Sequence, residues 1–373
     1  MNKITNNAWK IIGIIIVAVG LYSTVVRFTQ GLKVSTNLSD AFPWGMWIGF
    51  DILCGVGLAA GGFTICAAVY IFNLEKYHPL VRPSVLTAFL GYVLVIFGLL
   101  FDLGKPYNVW HAIIMWNPRS VMFEVAWCVM LYTTVLFLEF SPVVFEGLKW
   151  QKLQKFMKAV TIPLIILGIL LSTLHQSSLG SLFLIIPTKM HPLWYSSYLP
   201  LFFYLSAIAT GLSMVIFESY LSARAFNKGI EMHLLSKVAF ASVVVLLLNL
   251  ALRVGDLLWN NKLEYLITFS EAAVWFYAEI IIGSIIPAFI LLSKENREKK
   301  TMLYFSSVLI IAGFLFNRLN VSITSITTQT GVEYFPSFYE ISVTLMLVVL
   351  GMYAFKLAVK YLPVFSEHET AHK

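Results

Sequence analysis

The 373 residues are 59% hydrophobic and only 12% charged, with a mean hydropathy of +0.81. Soluble domains carry about 25% charged residues, so half of the polar surface that water demands is missing and a water-soluble domain is excluded. The net charge of +7 does not mark a nucleic-acid patch, because the basic residues are spread over connections between apolar blocks.

Those blocks have the length of about 20 residues that crosses bilayer hydrocarbon. They predict an all-α polytopic fold with ten helices, near 9–26, 50–73, 84–103, 119–140, 158–176, 199–222, 237–259, 271–293, 301–318 and 339–361. The first ends at Arg27 without a small-residue cleavage pattern and reads as a retained anchor. Asp51 opens the second, where Asp51, Gly55, Ala59 and Gly62 recur at helical spacing. That nearly bare face either packs closely against a neighbour or leaves a slot for a flat ring. Asp102 closes the third helix, either paired with Lys105 at i+3 or serving a site. Glu124 lies about five residues into the fourth, roughly 7–8 Å deep at 1.5 Å per residue. His175 closes the fifth. Arg253 and Asp256, three apart in the seventh, read as an ion pair. Glu271 starts the eighth at the interface, and Glu279 has no partner legible from sequence. An ionisable group costs about 2.5–3.5 kcal/mol at the bilayer centre, so each of these marks a candidate site.

Charge fixes an orientation. With the N-terminus in the cytoplasm, the cytoplasmic connections, tails and adjoining helix ends hold 18 of the 26 Lys and Arg. Lys149, Lys152, Lys155 and Lys158 dominate. This positive-inside bias predicts both termini in the cytoplasm of a bacterial inner membrane. It also brings Asp51, Asp102, Glu124 and His175 to the periplasmic side of four consecutive helices.

Histidine and cysteine set expectations about cofactors. A b-type haem commonly takes two His on facing helices, and of His78, His111, His175, His191, His233, His368 and His372 only His175 lies clearly inside a predicted span. Haem is therefore not expected. Cys54, Cys66 and Cys128 fall singly in helices, so no iron–sulfur cluster is expected in this chain. The connections 27–49, 104–118, 177–198, 260–270 and 319–338 are long or aromatic-rich, which suits interfacial anchoring or docking by a partner protein.

Several stretches carry a family resemblance: FPWGMWIGFD (42–51), YHPLVRP (77–83), SVMFEVAWCVMLY (120–132), LEFSPVVFE (138–146), STLHQSSLGSLF (172–183), HPLW (191–194), VIFES (215–219) and EYFPSFYE (333–340). Together they resemble the NrfD/PsrC-like family of quinone-reactive membrane subunits, most closely the HybB-type subunits of respiratory nickel–iron hydrogenases. The resemblance implies one integral membrane domain over 1–373, with two inverted four-helix bundles. The first, 50–176, holds the quinone site and the second spans 199–318; the helices 9–26 and 339–361 flank them. It implies a quinone, of menaquinone type, bound near Asp51, Tyr92, Glu124 and His175 with Asp102 in support. Arg82 and Glu218 would serve proton uptake from the cytoplasm.

The implied partners are a periplasmic ferredoxin-like iron–sulfur subunit and the large and small nickel–iron hydrogenase subunits, with membrane lipid around the chain. His175 would hydrogen-bond a quinone carbonyl, Glu124 would deliver a proton from an apolar setting, and Asp51 would orient His175 or pass on a proton. Within the family, the alternative is the anchor of a molybdenum oxidoreductase of polysulfide reductase type, oxidising quinol. From a different class, it is a secondary transporter or proton channel without redox partners.

Overall fold

The computed structural model describes residues 3–226, 229–268 and 270–365. Among them there is no strand, and ten helices are long and apolar enough to cross a membrane. These are α1 (Ala8–Gln30), α2 (Trp47–Ile71), α3 (Glu75–Asp102), α4 (Val121–Gly147), α5 (Thr161–Ile185), α6 (Leu199–Phe226), α7 (Met232–Trp259), α8 (Glu271–Leu292), α9 (Lys300–Thr330) and α10 (Phe338–Tyr361).

Several spans outrun the apolar blocks seen in the sequence, for identifiable reasons. α3 starts ahead of Pro83 because its other proline, Pro79, occupies the first helical turn, where an N–H has no intrahelical partner to lose. α5 continues past His175 because its serines are satisfied within the helix. Ser177, Ser178 and Ser181 donate to the carbonyls of Thr173, Leu174 and Ser177. The same back-bonding carries α9 through Ser322, Thr328 and Thr330. α2 is irregular instead, with π-helical turns at Trp47–Ile52 and Ala67–Ile71.

Successive spans alternate in direction, so the long connections after α1, α3, α5, α7 and α9 share one end, here the connection-rich end. Ser337 donates to the Ser35 carbonyl and the His191 amide donates to Ser325 there. The other end carries Lys149, Lys152, Lys155 and Lys158 and is the lysine-rich end.

α2–α5 close one ring of four helices and α6–α9 a second, while α1 packs on α10 and α10 on α3. Each quartet has an even number of spans, so α2 and α6 start at the same end. The quartets touch chiefly through α6, which packs on α2 and α5. At this crossing a Cβ on Gly211 would sit 2.5 Å from the Gly61 nitrogen, so only glycine permits the approach. Buried apolar clusters bridge both quartets at each end, around Val81, Val215 and Leu234 at one and Val95, Leu179 and Phe276 at the other. Large apolar side chains such as Phe137, Leu170 and Phe289 face outward, as expected where lipid is the solvent.

Candidate functional site

Two facing helices of the first quartet build a polar column. On α4, Glu124, Cys128, Tyr132 and Glu139 follow one another at spacings of four, four and seven, which keeps them on one face. On antiparallel α5, Ser178, His175, Ser172 and Gly168 form the matching row. Glu124 accepts a hydrogen bond of 2.5 Å from Ser178 Oγ. At the far end, Gly168 makes room for Glu139, whose Oε1 would lie 2.6 Å from a Cβ placed there.

The middle of the column is closed to solvent. His175 and Tyr92 of α3 are each 0% exposed, and Tyr92 Oη lies 2.8 Å from His175 Nδ1. Tyr92 stands edge-on to Tyr132, with centroids 4.6 Å apart. Gln176 next door donates to the Val56 carbonyl at 2.9 Å, which fixes α5 against α2. His175 Nε2 is buried without a hydrogen-bond partner, while the buried hydroxyls of Tyr132 on α4 and Ser172 on α5 face one another. Buried polar groups are almost always satisfied, which makes the free His175 Nε2 the notable polar atom of this column. When Tyr92 donates to Nδ1, the ring proton sits on Nε2 and makes it a donor.

The remaining sequence candidates do not join this column. Asp51 accepts from Thr344 of α10 at 2.8 Å and abuts Gly98 of α3; the group bonded to His175 is Tyr92, so Asp51 does not orient it. The small-residue face of α2 is filled rather than open. A Cβ on Gly55 would meet Val95, and one on Gly62 would meet Ala88. Asp102 makes no bond to Lys105; the nearby charge is Arg27, which donates to the carbonyls of Phe101 and Leu103 at the end of α3. Glu124 sits in the first turn of α4 and is exposed, shallower than its expected depth and outside any enclosed apolar setting. His175 lies within α5 and not at its end.

Towards the lysine-rich end, Arg82 pairs with Glu146 at 3.0 Å and donates to the Pro363 carbonyl at 2.8 Å. Glu218 of α6 accepts from Thr87 at 2.6 Å and leaves its Oε1 buried without a partner. Arg82 and Glu218 are thus engaged by different groups. Sequence reading missed Ser178, Tyr132, Ser172 and Glu139. The signal was present in the facing intervals 124–128–132–139 and 168–172–175–178.

The second quartet holds a buried ionic network whose pairing differs from the i,i+3 expectation. Arg253 binds Glu279 of α8 at 2.6 Å, not Asp256. Glu279 also accepts from Asn317, Asn320 and Trp194 at 2.9–3.0 Å. Asp256 accepts from Ser196 at 2.8 Å and faces Lys262 at 3.4 Å. Arg318 is 1% exposed, with its guanidinium 3.6 Å from the Phe203 ring centroid. A cavity of about 20 Å³ among Trp194, Asn249, Arg253 and Asp256 has room for one water and lies apart from the column.

Residues 34–330 match the family described as polysulphide reductase, NrfD. A protein of Nitratidesulfovibrio vulgaris is 40% identical, over 98% of this chain and 97% of its own length. The probable Ni/Fe-hydrogenase 2 b-type cytochrome subunit of Escherichia coli is 35% identical, over 97% and 93%. The menaquinone reductase integral membrane subunit of N. vulgaris is 26% identical, over 93% and 89%.

The second of these overturns one expectation. A relative matching nearly the whole chain is described as a b-type cytochrome subunit, which points to haem, so the expected lack of haem does not stand. His175 Nε2 is the buried imidazole nitrogen without a partner among the described residues. Its recorded neighbour is Tyr92 and not a second histidine, and His368 and His372 lie outside the described residues. The first quartet thus offers such a group one imidazole nitrogen. With the match covering most of its length, and with relatives that are membrane subunits of redox enzyme complexes, this chain belongs to the polysulphide reductase NrfD family.

Proposed function

We propose that this chain is the membrane anchor and quinone-reactive subunit of a respiratory nickel–iron hydrogenase facing the periplasm. Electrons pass from a ferredoxin-like iron–sulfur partner to a quinone substrate held in the first quartet. The observation that carries this reading is the buried His175 Nε2, which has no hydrogen-bond partner, in a ring whose other nitrogen is held by Tyr92. A quinone carbonyl is an acceptor of the kind this donor lacks.

Reduction of a quinone to a quinol takes two electrons and two protons. The partner supplies the electrons, and this chain handles the protons. His175 Nε2–H and Tyr132 Oη–H stabilise the negative charge that develops on the quinone oxygens. Glu124, exposed at the connection-rich end and bonded to Ser178 one turn from His175, exchanges protons with the outer side. Glu139 continues the column towards the lysine-rich end, where Arg82 and Glu218 take up protons. Asp51 and Asp102, apart from the column, serve as acids at the outer rim. The positive-inside bias supports a cytoplasmic lysine-rich end, an inner-membrane location and cytoplasmic termini.

Electron flow in the opposite sense, with quinol oxidised, uses the same column. The description of the matched family as a polysulphide reductase favours that second reading.

Glu124→Gln separates proton delivery from electron supply. Hydrogen-dependent quinone reduction by the assembled complex should be lost, while reduction of a soluble dye at the catalytic subunits persists. Normal quinone reduction in that variant refutes the assignment. A chain that purifies without stoichiometric iron–sulfur proteins refutes the redox reading itself and supports transport.

A further inference from the structure

The connection from α4 to α5 contains its own helix, Gln151–Ala159, which the proposed function does not use. It lies between the end of α4 at Gly147 and the start of α5 at Thr161, at the boundary of the apolar spans. Lys149, with a φ of 59°, turns the chain out of α4. At 3.6 residues per turn, Lys152, Lys155 and Lys158 fall on one face and Leu153, Phe156 and Met157 on the opposite one.

The protein covers only part of the apolar face. Met157 is 8% exposed and anchors the helix, whereas Phe156 is 62% exposed. Leu153 and the adjoining Trp150 are exposed as well. Gln154 donates to Glu146 at 3.0 Å, and Trp150 stacks on Phe145 with centroids 5.9 Å apart, so the orientation is fixed. All four lysines are exposed, and none has a described acidic side chain within 4.0 Å.

We propose that the Gln151–Ala159 helix and Trp150 form a binding site for an anionic phospholipid, juxtaposing an uncovered apolar face with three unpaired lysines. The acyl chains cover Leu153, Phe156 and Trp150, and the headgroup phosphate meets Lys152, Lys155 and Lys158. An amphipathic helix in the interface plane with a lysine face has this double affinity, for hydrocarbon and for negative charge. A zwitterionic lipid carries the same phosphate, but its own headgroup cation offsets that charge, so the lysines hold it far more weakly.

The test uses the full-length chain in nonionic detergent, titrated with dioleoylphosphatidylglycerol or dioleoylphosphatidylcholine and read by native mass spectrometry. The unmodified chain should retain phosphatidylglycerol preferentially, and added salt should erode the preference. Each lysine near an anionic surface contributes about fivefold. Lys152→Gln/Lys155→Gln/Lys158→Gln should therefore weaken retention by on the order of a hundredfold, while the matching arginine triple variant keeps it. Equal retention of the two lipids, a preference indifferent to salt, or a preference that survives the glutamine triple variant would each overturn the proposal. The salt titration needs no variant, so it decides even if the glutamine triple variant inserts wrongly.

Discussion

Glu279 offers the sharpest energetic test of the fold. Its two carboxylate oxygens accept four hydrogen bonds, from Arg253 and Asn317 on Oε1 and from Trp194 and Asn320 on Oε2. The side chain of Glu279 is 2% exposed and that of Arg253 14%, so water cannot take over these bonds. Removing one partner of a buried pair costs about 3–5 kcal/mol, because the other charge is left uncompensated. Each stranded neutral donor adds about 1–3 kcal/mol. With Arg253 and three neutral donors stranded, Glu279→Ala should therefore destabilise the chain by about 6 kcal/mol or more.

Glu279→Gln keeps one acceptor oxygen for Arg253 and Asn317. It turns an amide NH₂ towards the donors of Trp194 and Asn320, and should cost about half as much. Arg253→Met/Glu279→Met removes both charges and should recover the part of the loss that comes from the stranded Arg253 charge. Equilibrium unfolding in mixed micelles with increasing dodecyl sulfate, followed by tryptophan fluorescence, measures all three. An alanine variant within about 1 kcal/mol of the unmodified chain, or a double variant no better than the alanine one, refutes the reasoning.

Three further outcomes are expected. Tyr92→Phe removes the partner of His175 Nδ1, and at about 1–3 kcal/mol should slow quinone-linked turnover roughly 5- to 150-fold while dye reduction is unchanged. Gly211→Ala places a Cβ 2.5 Å from the Gly61 nitrogen and should cost about 1–3 kcal/mol by forcing the quartets apart, measured by the same unfolding assay. His191, in the α5–α6 connection, has its pKa lowered by burial. Its neutral form is favoured by folding, so that contribution is full above about pH 6.5 and fades as pH falls through the lower folded value. His191→Gln should flatten the stability loss between pH 7.5 and 5.5 in the unfolding assay.

The ten spans were legible because bilayer thickness imposes a length that a hydropathy window detects, and because lysine placement records the connections. The helix ends were not. Serines that bond back to their own helix, as in α5 and α9, look like loop in composition but cost the helix nothing. The pairing of Arg253 was also hidden, since an i,i+3 neighbour competes on paper with a glutamate on another helix. At the site, His175 and Tyr92 were found as residues. Their direct bond, the alignment of Ser172 with Tyr132, and the separation of Asp51 from the column all depend on how α3, α4 and α5 face one another. Tertiary rotation of a helix sets that, and no single-helix pattern encodes it. The α2 stripe shows the same limit, because a row of small residues reads alike whether a neighbour or a ligand fills it.

The proposed function requires His175 Nε2 to donate to a quinone carbonyl inside the first quartet. Infrared difference spectra of the assembled complex, loaded with quinone carrying ¹³C at one carbonyl and then at the other, test it directly. One carbonyl band should lie below its position in free quinone, and that displacement should vanish in His175→Leu while the other carbonyl is unaffected. An identical displaced band in the unmodified and His175→Leu complexes would contradict the account.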